Sequence, residues 1–196
     1  MTVPTSARDA AVPLRDDRHP AVVVRTEQVY LGKVWDVRSD TFLYGEGELV
    51  REFVDHPGAA AVLAVDAQER VLLIKQYRHP VGLRDWELPA GLLDVVGEEP
   101  LLAAQRELAE EVDLAADSWS ELVTFHTTPG GSNETVHIFE ARDIREVEQV
   151  FDRTDEELEI EKRWVPLDEV VAAVLAGDLS NSILIIAVLA AHARFA

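Results

Sequence analysis

Between residues 87 and 114 the chain reads ELPAGLLDVVGEEPLLAAQRELAEEVDL. At about 100° of turn per residue, Glu107, Glu110 and Glu111 project from one helical face, and Leu101, Ala104, Leu108 and Val112 form an adjoining apolar stripe. Three carboxylates this close repel one another unless a cation sits among them, and an all-oxygen donor set suits a hard ion such as Mg²⁺ or Mn²⁺. The same residues also admit a plainer reading, a solvated helix face on which Arg106 pairs with Glu110 at i, i+4. Both readings require a helix, and the surrounding elements decide between them.

With 196 residues and 47% apolar content the chain can build one substantial domain. A formal net charge of -19 and the lack of any Lys/Arg-rich block argue against nucleic acid as a partner, because a phosphate backbone would be repelled. An acidic protein that handles a phosphorylated substrate must place its few arginines locally and recruit divalent cations. There is no cysteine, which fits a reducing, cytoplasmic setting. The first twenty residues lack a hydrophobic signal core, and the apolar run from Ile183 to Ala191 is too short to span a bilayer, so no membrane partner is expected.

Residues 1–20 have no periodicity and read as a flexible arm. Near-alternation of β-branched and aromatic residues over 21–44, broken at Gly32, reads as strands of a small sheet, with a turn at Gly45 and Gly47. The apolar run AAAVLAVD and the segment Val71 to Gln76 flank the polar turn Asp66-Ala67-Gln68-Glu69 and predict a central hairpin buried on both faces. Pro80 to Trp86 reads as a loop and Glu87 to Gly91 as a short strand. A helix is expected from near Glu98–Pro100 to near Asp113. Leu122 to His126 and Val136 to Ala141 are strand candidates around a Gly130-Gly131 loop. Trp164 to Pro166 reads as a short strand, Leu167 to Ala176 as a helix opened by Asp168 and closed by Gly177, and Ser180 or Asn181 as the cap of a last helix to Phe195.

On these residues the 87–114 stretch resembles the signature box of Nudix hydrolases, G-x5-E-x7-R-E-U-x-E-E-x-G-U with U aliphatic. Gly91, Glu98, Arg106, Glu107, Leu108, Glu110, Glu111 and Leu114 supply the pattern. Six residues rather than five separate Gly91 from Glu98, and Asp113 replaces the second glycine. Neither departure removes a carboxylate. The run Gln76-Tyr77-Arg78, the Glu87-Leu88-Pro89-Ala90-Gly91 approach, the Pro129-to-Glu134 loop and a late acidic loop are together similar to the ADP-ribose pyrophosphatase branch.

The resemblance implies an α/β fold, an α/β/α sandwich with a mixed central sheet, preceded by a small N-terminal antiparallel sheet that helps build a homodimer. Residues 21–56 would form that sheet and 57–196 the catalytic domain. It implies hydrolysis of ADP-ribose to AMP and ribose 5-phosphate, with Mg²⁺ or Mn²⁺ neutralising charge on the diphosphate and orienting water. Other nucleotide-linked diphosphates, such as nucleotide sugars or dinucleotides, remain open as substrates, as does an ADP-ribose-sensing module without turnover. By match to the box, Glu107 and Glu111 are the metal ligands, Glu110 shares or relays coordination, and the Ala90 carbonyl adds a further oxygen. Glu98 and Arg106 form a supporting ion pair for this catalytic set. The late loop supplies the base, Glu157 or Glu156.

Arg51 and Arg78 could offset diphosphate charge, with a surface ion pair as the alternative for Arg51. Glu87 joins the substrate-binding set, Glu134 could receive the terminal ribose, and Tyr30 and Trp35 could stack on adenine from the partner subunit or serve as core or dimer contacts. His56, His79, His126, His137 and His192 show no zinc spacing.

Overall fold

A computed structural model of the chain describes residues 14–147 and 160–195. The β-branched stretch after Pro20 forms β1 (Val23–Tyr30) and β2 (Asp36–Tyr44), and the turn at Gly45 leads into β3 (Gly47–Asp55). These three strands make an antiparallel sheet in the order β1-β2-β3. Within β3, Arg51 pairs with Asp40 of β2.

The remainder is built on two further sheets. One is mixed, in the order β7 (Ala90–Leu92), β4 (Ala59–Ala64), β9 (Thr135–Glu146), β8 (Leu114–His126), with β4 and β9 parallel. The other is antiparallel, in the order β10 (Glu161–Pro166), β5 (Arg70–Arg78), β6 (Leu83–Glu87). β4 is buried on both faces. Ala59, Ala61 and Leu63 join the core beneath α2 (Leu167–Ala176) and α3 (Ser182–Phe195), while Ala60, Val62 and Ala64 join the core beneath α1 (Pro100–Val112). Small residues at 59–61 let helices approach both sides of the strand, which gives the helix–sheet–helix layering.

Two expectations fail here. The runs around Asp66 to Glu69 are buried strands joined by a tight turn, but they do not form a hairpin ladder; they meet only through the Val65–Val71 bridge and then part into different sheets. The turn itself is well made, since Asp66 Oδ1 accepts the N–H groups of Gln68 and Arg70, both at 2.9 Å. What separates the strands is competition from distant partners: β7 and β9 take the edges of β4, and β6 and β10 take those of β5. For the same reason the expected loop from Pro80 to Trp86 yields β6, which pairs Leu83 to Glu87 with Arg78 to Ile74.

The helices follow local rules. α1 has Pro100 in its first turn and ends at Asp113 in the left-handed conformation (φ 61°, ψ 34°), so an aspartate fills the place of the box's second glycine without altering the exit. Lys162 holds that aspartate at 2.9 Å. α2 ends at Gly177 (φ 81°). Its N-cap is Pro166, with Asp168 in the first turn rather than at the start. Asn181, not Ser180, caps α3 by accepting the N–H of Leu184 at 3.0 Å.

Candidate functional site

α1 presents its carboxylates to the turn between β6 and β7. Glu111, only 5% exposed, accepts the backbone N–H of Ala90 at 2.9 Å. Glu107 lies over Gly91 so closely that a Cβ there would overlap its carboxylate. The two side chains, one turn apart on the same face of α1, therefore converge on the Ala90–Gly91 backbone.

Arg106 organises the rest. Its Nε and Nη2 donate to Glu98 at 3.2 and 3.0 Å, and its Nη1 donates to Glu107 at 2.6 Å and to Glu110 at 3.2 Å. The hydrogen bonds to Glu98, opposed by burial and reinforced by Glu107 and Glu110, push the guanidinium pKa further above its ordinary value. Glu98 and Arg106 thus form the expected brace, and the extra residue before Glu98 is absorbed in the turn at Gly97 (φ 81°). The i, i+4 pair of the plainer sequence reading also exists, within a larger network.

The donor set fits a hard divalent ion in kind, since carboxylates and backbone oxygens are what such ions take, and the side-chain-free position at Gly91 leaves a cradle that a methyl group would fill. Among the described residues no three His, Asp or Glu side chains converge as ion ligands, because Glu107 and Glu110 are turned to Arg106.

Beside this turn is a cavity of about 350 Å³ lined by Trp35, His56, Arg78, Ala90, Gly91 and Glu134, among others. Arg78 reaches it from the end of β5. Its Nε and Nη2 donate to the two oxygens of Glu87 at 2.8 and 2.7 Å, and Gln76 donates to the same carboxylate at 3.3 Å. Glu87 is 4% exposed and stands behind Arg78, aiming it, while Arg78 keeps 47% of its side chain exposed. Glu134, from the loop before β9, takes the Thr127 hydroxyl at 2.5 Å.

Two expected site residues are not brought together here. Arg51 lines a different cavity of about 500 Å³ with Phe53, His126, Pro129 and Asn133, and it donates to the carbonyl of Val50 at 2.7 Å. Its place on β3 sets it beside the Gly130-Gly131 loop instead of the α1 carboxylates. Tyr30, at the end of β1, is exposed and lines neither cavity, whereas Trp35 lines the smaller one and stacks on His56 of its own chain. The base candidates Glu156 and Glu157 lie outside the described residues. Sequence reasoning considered His56 only as a zinc ligand and passed over Gln76 and Thr127 as partners; none has a spacing signal, because their partners are remote or cross-strand.

The NUDIX domain family matches residues 55–184, which span α1, both larger sheets and the cavity lining apart from Val34 and Trp35. This chain belongs to the NUDIX family. Among relatives of this NUDIX chain, an ADP-ribose pyrophosphatase of Mycobacterium tuberculosis is 43% identical over 176 residues, covering 89% of this chain and 84% of the relative. An ADP-ribose pyrophosphatase of Bacillus subtilis is 36% identical over 160 residues, covering 81% and 85%. A solved structure described as an ADP compounds hydrolase superposes with a TM-score of 0.75 at 20% identity, covering 92% of this chain and 97% of the other, a likeness of fold. The expected α/β NUDIX sandwich with its mixed sheet is therefore the fold of the chain.

Proposed function

We propose that this NUDIX chain hydrolyses the diphosphate of ADP-ribose to AMP and ribose 5-phosphate, with Mg²⁺ or Mn²⁺ as cofactor. The observation that carries the reading is the meeting of Glu107 and Glu111 on the Ala90–Gly91 backbone at the start of β7, at the rim of a cavity that also holds Arg78. The names of relatives at 36–43% identity support ADP-ribose as the substrate.

A divalent ion held by Glu107, Glu111 and the Ala90 carbonyl, with Glu110 sharing, would neutralise developing charge on the phosphates and orient water. The chain's own contributions are separate. Arg78, held in direction by Glu87, offers a guanidinium to phosphate oxygens. Glu134 presents carboxylate oxygens to the hydroxyls of the ribose, and Trp35 offers a flat apolar face. Arg106 keeps the box glutamates ordered through Glu98. A glutamate of the 151–161 segment, Glu157 or Glu156, takes the proton from water.

Two copies of the chain associate through the N-terminal sheet in this reading. It is supported by β1, every residue of which is exposed, including Val23, Val24, Val29 and Tyr30. Arg51 and Tyr30 then serve the ligand of the partner subunit. The cysteine-free, strongly acidic composition accords with a cytoplasmic setting and with no nucleic-acid partner. No helix among the described residues is long and apolar enough to cross a membrane.

The test is incubation with ADP-ribose and each metal, with AMP resolved chromatographically, beside Glu111→Gln. Wild-type turnover that vanishes in the variant while the fold persists supports the assignment. No turnover with either metal overturns the activity, and an active Glu111→Gln overturns the metal site. Light scattering after size exclusion reads the dimer, and a monomer mass overturns it.

A further inference from the structure

His56 follows β3 directly and sits where three segments distant in sequence meet. Its backbone N–H donates to Asn133 Oδ1 at 2.7 Å, and Asn133 Nδ2 donates to Asp55 Oδ1 at 2.8 Å. The N–H of Val54 donates to the carbonyl of Gly131 at 2.9 Å, so the end of β3 is tied to the glycine loop through backbone as well as the Asn133 side chain. The imidazole makes a different set of contacts.

Its Nδ1 accepts the N–H of Gly58 at 3.0 Å, which assigns the proton of the neutral ring to Nε2. Nε2 lies 3.4 Å from Glu134 Oε1. The ring stacks on Trp35 with centroids 4.2 Å apart and planes inclined by 20°. The side chain is 9% exposed. One imidazole therefore joins an aromatic ring from the β1–β2 connection to a carboxylate from the β8–β9 loop. Both neighbours line the cavity that also holds Arg78, Ala90 and Gly91.

Both ring nitrogens are engaged within the chain and one face is covered, so His56 acts through its neighbours. We propose that His56 is a positioning residue that fixes Trp35 and Glu134 relative to each other, and so sets affinity for the hydroxyl-bearing nucleoside or sugar part of the substrate. The cleavage step, which belongs to the α1 carboxylates, is left largely untouched. The proposal rests on the reading of this cavity as the substrate site.

A purely structural role would be closure of the Asp55–Gly58 turn through Nδ1. Asn and Gln separate the two roles, because the amide oxygen of Asn can replace Nδ1 and the amide nitrogen of Gln can replace Nε2. In His56→Asn the turn bond persists while the stack and the Glu134 contact are lost. His56→Gln restores only the donor to Glu134.

For His56→Asn the expected result is a KM for ADP-ribose raised about tenfold with kcat within about threefold of wild type, as loss of the Trp35 stack and of the 3.4 Å contact with the Glu134 carboxylate predicts. His56→Gln should recover part of that loss. An unchanged KM, or a fall in kcat alone, overturns the proposal. A second readout needs no turnover: amide hydrogen exchange of the unliganded full chain. Residues 31–35 and 127–134 should exchange faster together in His56→Asn, with α1 unchanged. Wild-type rates in either segment overturn the coupling. Absence of wild-type turnover would sink the proposed activity alone, since the exchange result still decides the role of His56.

Discussion

Gly91 and Glu107 share one small volume: the carboxylate of Glu107 lies where a side chain at position 91 would begin. Gly91 does not occupy a left-handed conformation, so its requirement is space rather than backbone freedom. The overlapping atoms are the mobile end of a glutamate, so Gly91→Ala should fold and displace the carboxylate. Turnover is expected to fall on the order of 100-fold, with partial recovery at raised Mn²⁺ or Mg²⁺. A metal titration of activity checks this, and wild-type kinetics would dissociate Glu107 from the reaction.

Arg106 donates to three carboxylates at once, which a lysine ammonium cannot do in the same planar geometry. Arg106→Lys should weaken the Glu98 brace and lower apparent metal affinity about tenfold. Arg106→Gln leaves the box glutamates without their cation. Its thermal midpoint should therefore rise more on Mg²⁺ addition than that of wild type, and an equal rise in both proteins would count against the site.

Glu87 is buried and its two oxygens are taken by Arg78 and Gln76. Glu87→Gln keeps the size but loses one charge-assisted acceptor, so Arg78 is held less firmly. A KM increase of about tenfold with little change in kcat is expected. Combined with Arg78→Lys, the second change should add less than it does alone, because both act on one group. Additive losses would mean that Glu87 meets the ligand independently.

Burial lowers the pKa of His56 below the ordinary histidine value, against the opposing pull of Glu134. The unfolded chain then binds a proton more readily than the folded one between the lowered value and about 6.5. Stability from this residue is full above about 6.5 and is lost as pH falls through that window. Urea midpoints measured from pH 8 to pH 5 should decline in wild type and decline less in His56→Asn. Equal slopes would remove His56 as the titrating group. Glu69, whose carboxyl the Arg142 hydrogen bond holds below its usual range, acts only at lower pH.

Local sequence determined the parts of this protein whose physics is local. Apolar spacing from Leu101 to Val112, with Pro100 at the start and a residue able to turn left-handed at Asp113, defines α1 and sets Glu107 and Glu111 beside its apolar stripe. Gly177 and Asn181 punctuate the last two helices in the same way. Box spacing named the glutamates and the brace between Glu98 and Arg106, because an i, i+4 face and a short turn leave few alternatives.

Tertiary structure decided what depends on partners far away in the chain. The polar turn at Asp66 fits a hairpin, yet β4 and β5 part because β9 and β10, whose pairing positions start more than sixty residues downstream, compete for their edges. Arg51 and Arg78 look alike in sequence, but separate sheets carry them to different cavities. Only folding brings Trp35 and Glu134 to the two sides of His56, since a ring stack and an imidazole–carboxylate contact between residues far apart in sequence leave no periodic trace.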